Sequence, residues 1–518
     1  MTAETNERDE VVIAQRPAPA TPRPYEFPAV ARTRLANGLT VLVADLPGRP
    51  LLSATMVIPI GAADEAPDNA GATVLAARAL TEGTERYDAI GLTEAAERLG
   101  ASLHAEAGWD ATSVGVDVPS PRLGPALELL AEVLLRPTFP PSEIERLRDE
   151  RLNDLLQAQA DPRCRADETF IGTIYAPSSP YHRPSGGTRE SVERLDEGVA
   201  RAAYERILDP ARATLVVGGD LGGQDVRALA ERLFAGWSRG AQAAPPSAIV
   251  DQAAGSGRLV RVVHRPGSVQ TEIRIGHPGL PRRVPDYHAV SVMSAILGGL
   301  FNSRLNMQLR EAKGYTYGAG AGFDMRRGAG PFSARAAVNT EVTVPAIVDT
   351  LAELTRMRET RVDDAELAAA RDFLVGVFPL RFETPGAVVG ALTGLAVHDL
   401  PLEELSDYRA RIEAVDVDAV EAAARAHLLV DKAAIVLVGD VDAFGADLEA
   451  AGLGRLVIDR DEPAAAQLAP EPEAETAVGP ADEGDETGPT AGAEDPDLPG
   501  SDEPVGPNGA RSDPDGSA

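Results

Sequence analysis

Metal-dependent and nucleophilic hydrolysis draw on a short list of side chains, and this sequence is poor in most of them. Its histidines are His104, His182, His264, His277, His288, His398 and His427. No two stand three to five residues apart, so no single helix offers a histidine pair to a zinc ion. Cys164 is the only cysteine, which excludes an intramolecular disulfide and a thiolate zinc cluster. It lacks the His/Asn company of a cysteine nucleophile and reads as a small buried side chain or an inert thiol. Arg310 and Tyr317 differ from these. They lie seven residues apart, with Arg310 ending a predicted helix and Tyr317 in the strand that follows. A fixed guanidinium and a phenol donor aimed at developing negative charge form an oxyanion-binding device. The same spacing suits a plainer arrangement, an Arg favoured by the helix dipole and a Tyr packed in a sheet. Spacing alone favours the plainer one.

The elements that must position these residues follow from patterning. RTRLANGLTVLVADL reads as two short strands around Asn37-Gly38, a hairpin signal. Strands are expected from Leu51, at 101–106, 112–118 and 213–221, with helices over 70–80, 121–135 and 141–158. A second helix in the first half ends at the C-cap glycine Gly100. The stretch 240–257 is small-residue, Pro/Gly-bearing and low in charge, which marks a linker. After it the order repeats, with helices at 343–358 and 363–378 and a strand at 433–441. IERLRDE near Arg148 parallels ELAAARD near Arg371, and VVGGD ending at Asp220 parallels VLVGD ending at Asp440, at offsets of 223 and 220 residues. A near-constant offset implies two similarly folded halves. The expectation is an α+β chain of two homologous domains, 28–239 and 258–460. Each is a mostly antiparallel sheet with helices packed on one face.

The chain has 518 residues, of which 44% are hydrophobic, and a formal net charge of −31. That length exceeds one ordinary core, and that charge argues against nucleic acid as a partner. The charge is uneven: 461–518 carries 16 acidic residues against Arg511 alone. This aromatic-free segment is expected to be a disordered acidic tail, as is the polar segment 1–27 at the other end. No run approaches a membrane span and MTAETNERDE has no apolar signal core, so neither a membrane association nor export is expected and the assigned location is cytoplasmic.

GGLFNSRLNMQLREAKGYTYG (298–318) resembles the second-domain signature of the pitrilysin/insulinase family: a glycine-rich turn, a helix ending in Leu-Arg-Glu, then G-x-x-Y. NAGATVLAARALTEGT (69–84) resembles the family's first-domain helix, and YHRPSGGTRESV (181–192) a further first-domain segment. The resemblance spans about residues 30–445. Active members carry H-x-x-E-H, two histidines on successive turns binding zinc with a glutamate between them as general base. Alignment on Gly71 and Gly83-Thr84 places Val74 at the first His, Ala77 at the Glu, Arg78 at the second His, and Asp154 at the downstream Glu ligand. Val74 cannot ligate, Ala77 cannot take a proton, and Arg78 sets a cation where a metal would sit. Two unit charges 4 Å apart repel by about 4 kcal/mol at an effective dielectric of 20, and a divalent ion roughly doubles this. Arg78 either pairs with Asp154, replacing the metal as a cross-link between helices, or points to solvent.

The resemblance further implies a dimer of two such chains, one bearing H-x-x-E-H and the other the Arg/Tyr pair. On that basis the chain is expected to bind no metal itself. It is read as the non-catalytic subunit of a heterodimeric zinc peptidase, supplying Arg310 and Tyr317 to the substrate backbone and oxyanion at a zinc held by the partner. An extended peptide would join a sheet edge. The alternative is a structural or peptide-binding scaffold with no part in catalysis.

Overall fold

The computed structural model describes residues 23–247 and 257–460. Most of the expected N-terminal segment, the middle of the linker and the whole acidic tail therefore lie outside the described residues. Within the first of these, however, Tyr25 and Phe27 are packed, edge-on to Phe378 and Phe382 of the second half. Packed residues therefore lie within 1–27 as well, because two aromatic rings find apolar partners there.

The first half builds a six-stranded sheet from β1 (Val30–Arg34), β2 (Thr40–Asp45), β3 (Leu51–Ile58), β4 (Ser102–Ala107), β5 (Thr112–Pro119) and β6 (Thr214–Gly219). The spatial order is β1-β2-β6-β3-β5-β4, parallel only between β2 and β6. Asn37-Gly38 makes the β1–β2 turn. Gly38 has φ +94°, and a Cβ there would lie 2.9 Å from Ala211. Against one face pack α1 (Ala72–Ala79), α2 (Leu123–Leu135) and α3 (Pro141–Ala160), burying Leu75, Leu127, Leu130 and Leu147 with Leu52, Met56 and Val116 of the strands. Then comes α4 (Pro162–Ile174).

The second half repeats this plan with β7 (Leu259–His264), β8 (Gln270–Pro278), α5 (Tyr287–Ser294), β9 (Ala319–Phe323), β10 (Pro331–Asn339), α6 (Thr343–Glu359), α7 (Asp364–Val377), α8 (Pro385–Val397), β11 (Ala434–Gly439) and β12 (Arg455–Asp459). Its order, β12-β7-β11-β8-β10-β9, superposes strand for strand on the first except at one edge. There β1 precedes its sheet in sequence and runs antiparallel, whereas β12 follows and runs parallel. Even a local tie is duplicated: Asp220 accepts from Gly48 N at 3.1 Å, and Asp440 from Gly267 N at 2.9 Å.

Each sheet carries helices of its own half on one face, as expected. The halves also exchange one helix each, which covers the other face. α8 crosses to the first sheet, where Val388, Val389 and Leu392 bury Leu42, Ala44 and Val216. α4 crosses to the second sheet, where Phe170 and Ile174 pack with Ala434 and Val436. The residues exposed by the pleat on the second face are apolar too, so each sheet needs both covers. Glycines let the backbones approach: a Cβ on Gly218 would sit 2.9 Å from Val389 Cγ2, and one on Gly276 2.9 Å from Phe170 Cζ. A loop between β9 and β10 clamps the halves further. Tyr181 donates to Asp110 at 3.2 Å and accepts from Gly328 N at 3.0 Å, while Tyr175 donates to Ala329 O at 2.7 Å. The Arg326 guanidinium lies over both Trp109 and Tyr181.

Candidate functional site

The first candidate site lies on α1, whose short helix starts where Gly71 adopts φ +93°. Its free N–H groups are met by Glu65, which accepts from Gly71 N at 2.9 Å and Thr73 N at 2.5 Å. Burial raises the Glu65 pKa despite those donors. Val74 and Arg78, one turn apart, face α3 together, and Ala77 is buried. Arg78 does not simply point to solvent. Its Nη2 donates to Glu150 at 3.0 Å, and its Nη1 lies 3.9 Å from Asp154. The cross-link between helices exists, with Glu150 as the near partner and Asp154 the far one. Arg146 joins it by donating to Glu150, Glu143 and Glu82.

A second cation sits beside the first. Arg151 donates to Gly186 O at 3.1 Å, and burial lowers its pKa, opposed by Asp154 and Glu168 and reinforced by Arg78. Val74, Arg78, Leu147, Arg151 and Gly186 enclose a cavity of only about 10 Å³, room for one water at most. A zinc ion does not fit this donor set. The positions aligned with the motif's ligands hold an isopropyl group and a guanidinium, the one aligned with its base holds a methyl group, and a further guanidinium lines the void. Among the described residues one other His/Asp group comes together, His264, Asp440 and Asp442. Its atoms are already engaged: Val441 N donates to His264 Nδ1 at 3.3 Å, and Arg460 donates to Asp442 at 2.5 Å.

The second candidate site is open. Arg310 lies in the π-helical turn Met307–Ala312. Tyr317 stands in the turn just before β9, not in the strand as expected. Thr316 makes that turn by accepting from Gly318 N and donating to Gly318 O, and sheet pairing begins only at Ala319. Tyr317 is 92% exposed. Arg310 stacks over Phe301, 4.3 Å from the ring centroid, and among the described residues its only ion pair is a 3.4 Å contact with Glu311. Phe301 is itself 71% exposed. All three line one trough of about 700 Å³, floored by the outer side of β8, β10 and β9 and walled by α4 of the other half. Arg163 and Asp167 come from that wall, and Glu272, Arg274 and Arg335 from the floor. The sequence pattern missed Glu150, Arg151 and Arg335. The i, i+4 spacing of Glu150 and Asp154 was a readable signal for the first.

Two family descriptions match the chain: "Insulinase (Peptidase family M16)" over residues 40–176 and "Peptidase M16 inactive domain" over 195–374. An uncharacterized zinc protease of Mycobacterium tuberculosis is 26% identical over 80% of this chain and 93% of its own. A Helicobacter pylori protein called a non-peptidase homolog is 22% identical over 71% of this chain and 84% of its own. The crystal structure of a peptidase M16 inactive domain from Pseudomonas fluorescens matches with a TM-score of 0.73 and 26% identity, over 79% of this chain and 98% of that one. The two-sheet α+β architecture is that of a peptidase-like protein. The chain belongs to the pitrilysin/insulinase family. No helix among the described residues is long and apolar enough to cross a membrane.

Proposed function

We propose that the chain is the non-catalytic subunit of a two-chain zinc peptidase, and that it lends Arg310 and Tyr317 to a zinc site on an H-x-x-E-H partner. The zinc belongs to that partner in this reading, and a peptide is the substrate. One observation carries it: the Arg310–Tyr317 trough is open, while the chain's own motif pocket is closed around two guanidiniums. A phenol with 92% exposure has no packing task that would keep it there. An exposed cation and phenol donor become useful when a second surface brings an oxyanion to them.

In this reading Arg310 holds the substrate backbone and Tyr317 donates to the developing oxyanion. The partner supplies metal-bound water and base. The test mixes the full chain with a homologous H-x-x-E-H subunit and follows peptide turnover. Arg310→Ala or Tyr317→Phe is expected to lower turnover of the mixture by about 10²-fold, as loss of an oxyanion donor does. Unchanged turnover in both variants would remove the proposal. Failure of the unmodified chain to raise the partner's turnover would instead favour the peptide-binding scaffold.

A further inference from the structure

The trough carries a charge pattern that Arg310 and Tyr317 do not account for. In a chain of net charge −31, its lining holds four guanidiniums, Arg163, Arg274, Arg310 and Arg335, against two carboxylates, Asp167 and Glu272. Both carboxylates are spent on one cation. Arg274 donates to Asp167 at 2.5 Å and to Glu272 at 2.8 Å. Burial alone would lower the Arg274 pKa, but these two bonds outweigh it and raise the value.

That leaves Arg335. On β10, Phe332, Ala334, Ala336 and Val338 point into the core, so alternation sends Arg335 to the trough side. Its cross-strand neighbours are Gly320 on β9 and Arg274 on β8. Like charges placed directly opposite destabilise a sheet, and a stabilising partner would be expected. The Arg335 side chain has no hydrogen bond or ion pair among the described residues. Its guanidinium lies across Gly320, where a Cβ would come within 3.8 Å of Nε. The floor beside it is small, with Gly318, Gly320 and Ala337. Among the described residues β9 is the sheet edge and pairs only with β10. An extended chain can therefore lie along β9, with a side chain reaching Arg335.

We propose that this trough selects extended peptides bearing Asp or Glu, and that Arg335 is the residue that recognises the carboxylate. A guanidinium fork matches a carboxylate in two parallel hydrogen bonds, and charge-assisted bonds of this kind are the strong ones. The inference rests on the function proposed above only in placing peptide in the same trough.

The test uses the full chain without any partner, so it reads binding and not turnover. Fluorescence anisotropy compares a labelled twelve-residue peptide carrying alternating Glu with its Gln counterpart. The segment 461–518 holds 16 carboxylates of its own. The titration is therefore repeated on a full-length chain in which these are amides, removing them as competitors. In at least one of the two chains the Glu peptide is expected to bind about tenfold tighter or better in low salt. The preference should shrink as salt is raised, because screening shortens the reach of the charge. Arg335→Glu in that chain should abolish the preference, and Arg335→Lys should keep part of it. Equal binding of the two peptides by both chains, or a preference that survives Arg335→Glu, would overturn the proposal. Turnover in the mixture can fail while this preference stands, and the reverse, so the two readings fall separately.

Discussion

Aligned on the family motif, Arg78 puts a cation at a ligand position, and the neighbouring side chains surround it with charge. Glu150 and Asp154 face it, Arg146 holds Glu150 from the other side, and Arg151 closes the pocket next to Val74. Restoring the motif alone should therefore not restore the metal. In the triple variant Val74→His, Ala77→Glu, Arg78→His, Arg151 still presents a positive charge to the site, and Asp154 is a methylene shorter than the Glu the family motif uses. Zinc after dialysis is expected well below one per chain. A stoichiometric, chelator-resistant ion would show that Arg151 does not matter. The residues standing at the motif positions were readable in the sequence, because a signature fixes spacing. Arg151 was not read, because its role depends on which face of α3 meets α1, whereas Glu150 could have been, one turn before Asp154. Arg335 was visible as a charge in an alternating strand, but nothing in that alternation says the far face is a trough and not plain solvent.

At the scale of elements, the duplication was legible from its constant offset, and the strand orders agree with it. The helix exchange was not. The apolar residues of α4 and α8 say that each helix must be covered, not which sheet will cover it, and α8 is apolar nearly all round. The glycines under the crossing helices give a test. A Cβ on Gly276 would lie 1.9 Å from Phe332 O and press on Phe170. Rigid backbone cannot yield, so Gly276→Ala is expected to destabilise by about 3 kcal/mol or more. At Gly218 the obstacle is a methyl of Val389, which can rotate, and Gly218→Ala should cost only about 1 kcal/mol. Urea-unfolding midpoints measure both. Equal effects would mean that the backbone beside Gly276 yields as readily as the Val389 side chain.

At the scale of the whole molecule, three imidazoles give stability a pH dependence. Burial lowers the pKa of His277, His288 and His398. Leu429 N donates to His277 Nε2 at 3.0 Å and the ring's Nδ1 meets Pro278 O at 2.8 Å, an arrangement only the neutral ring can make. A base with a depressed folded value leaves the unfolded chain binding more protons below about pH 6.5. The contribution is complete above that pH and is lost as pH falls through the folded values. The melting temperature is expected to be level from about pH 7 to 8 and to decline below about 6.5. His277→Gln should make the decline shallower, even if the plateau drops. An unaltered slope would place the titrating groups elsewhere.

The traded helices also tie the two halves together through time. A substitution that thickens α8 must be answered in strands encoded well over a hundred residues earlier, and one in α4 by strands encoded far downstream. Although the halves look like copies, neither is free to drift alone, and severing the chain between them would leave each with a greasy slab where its twin's helix used to lie.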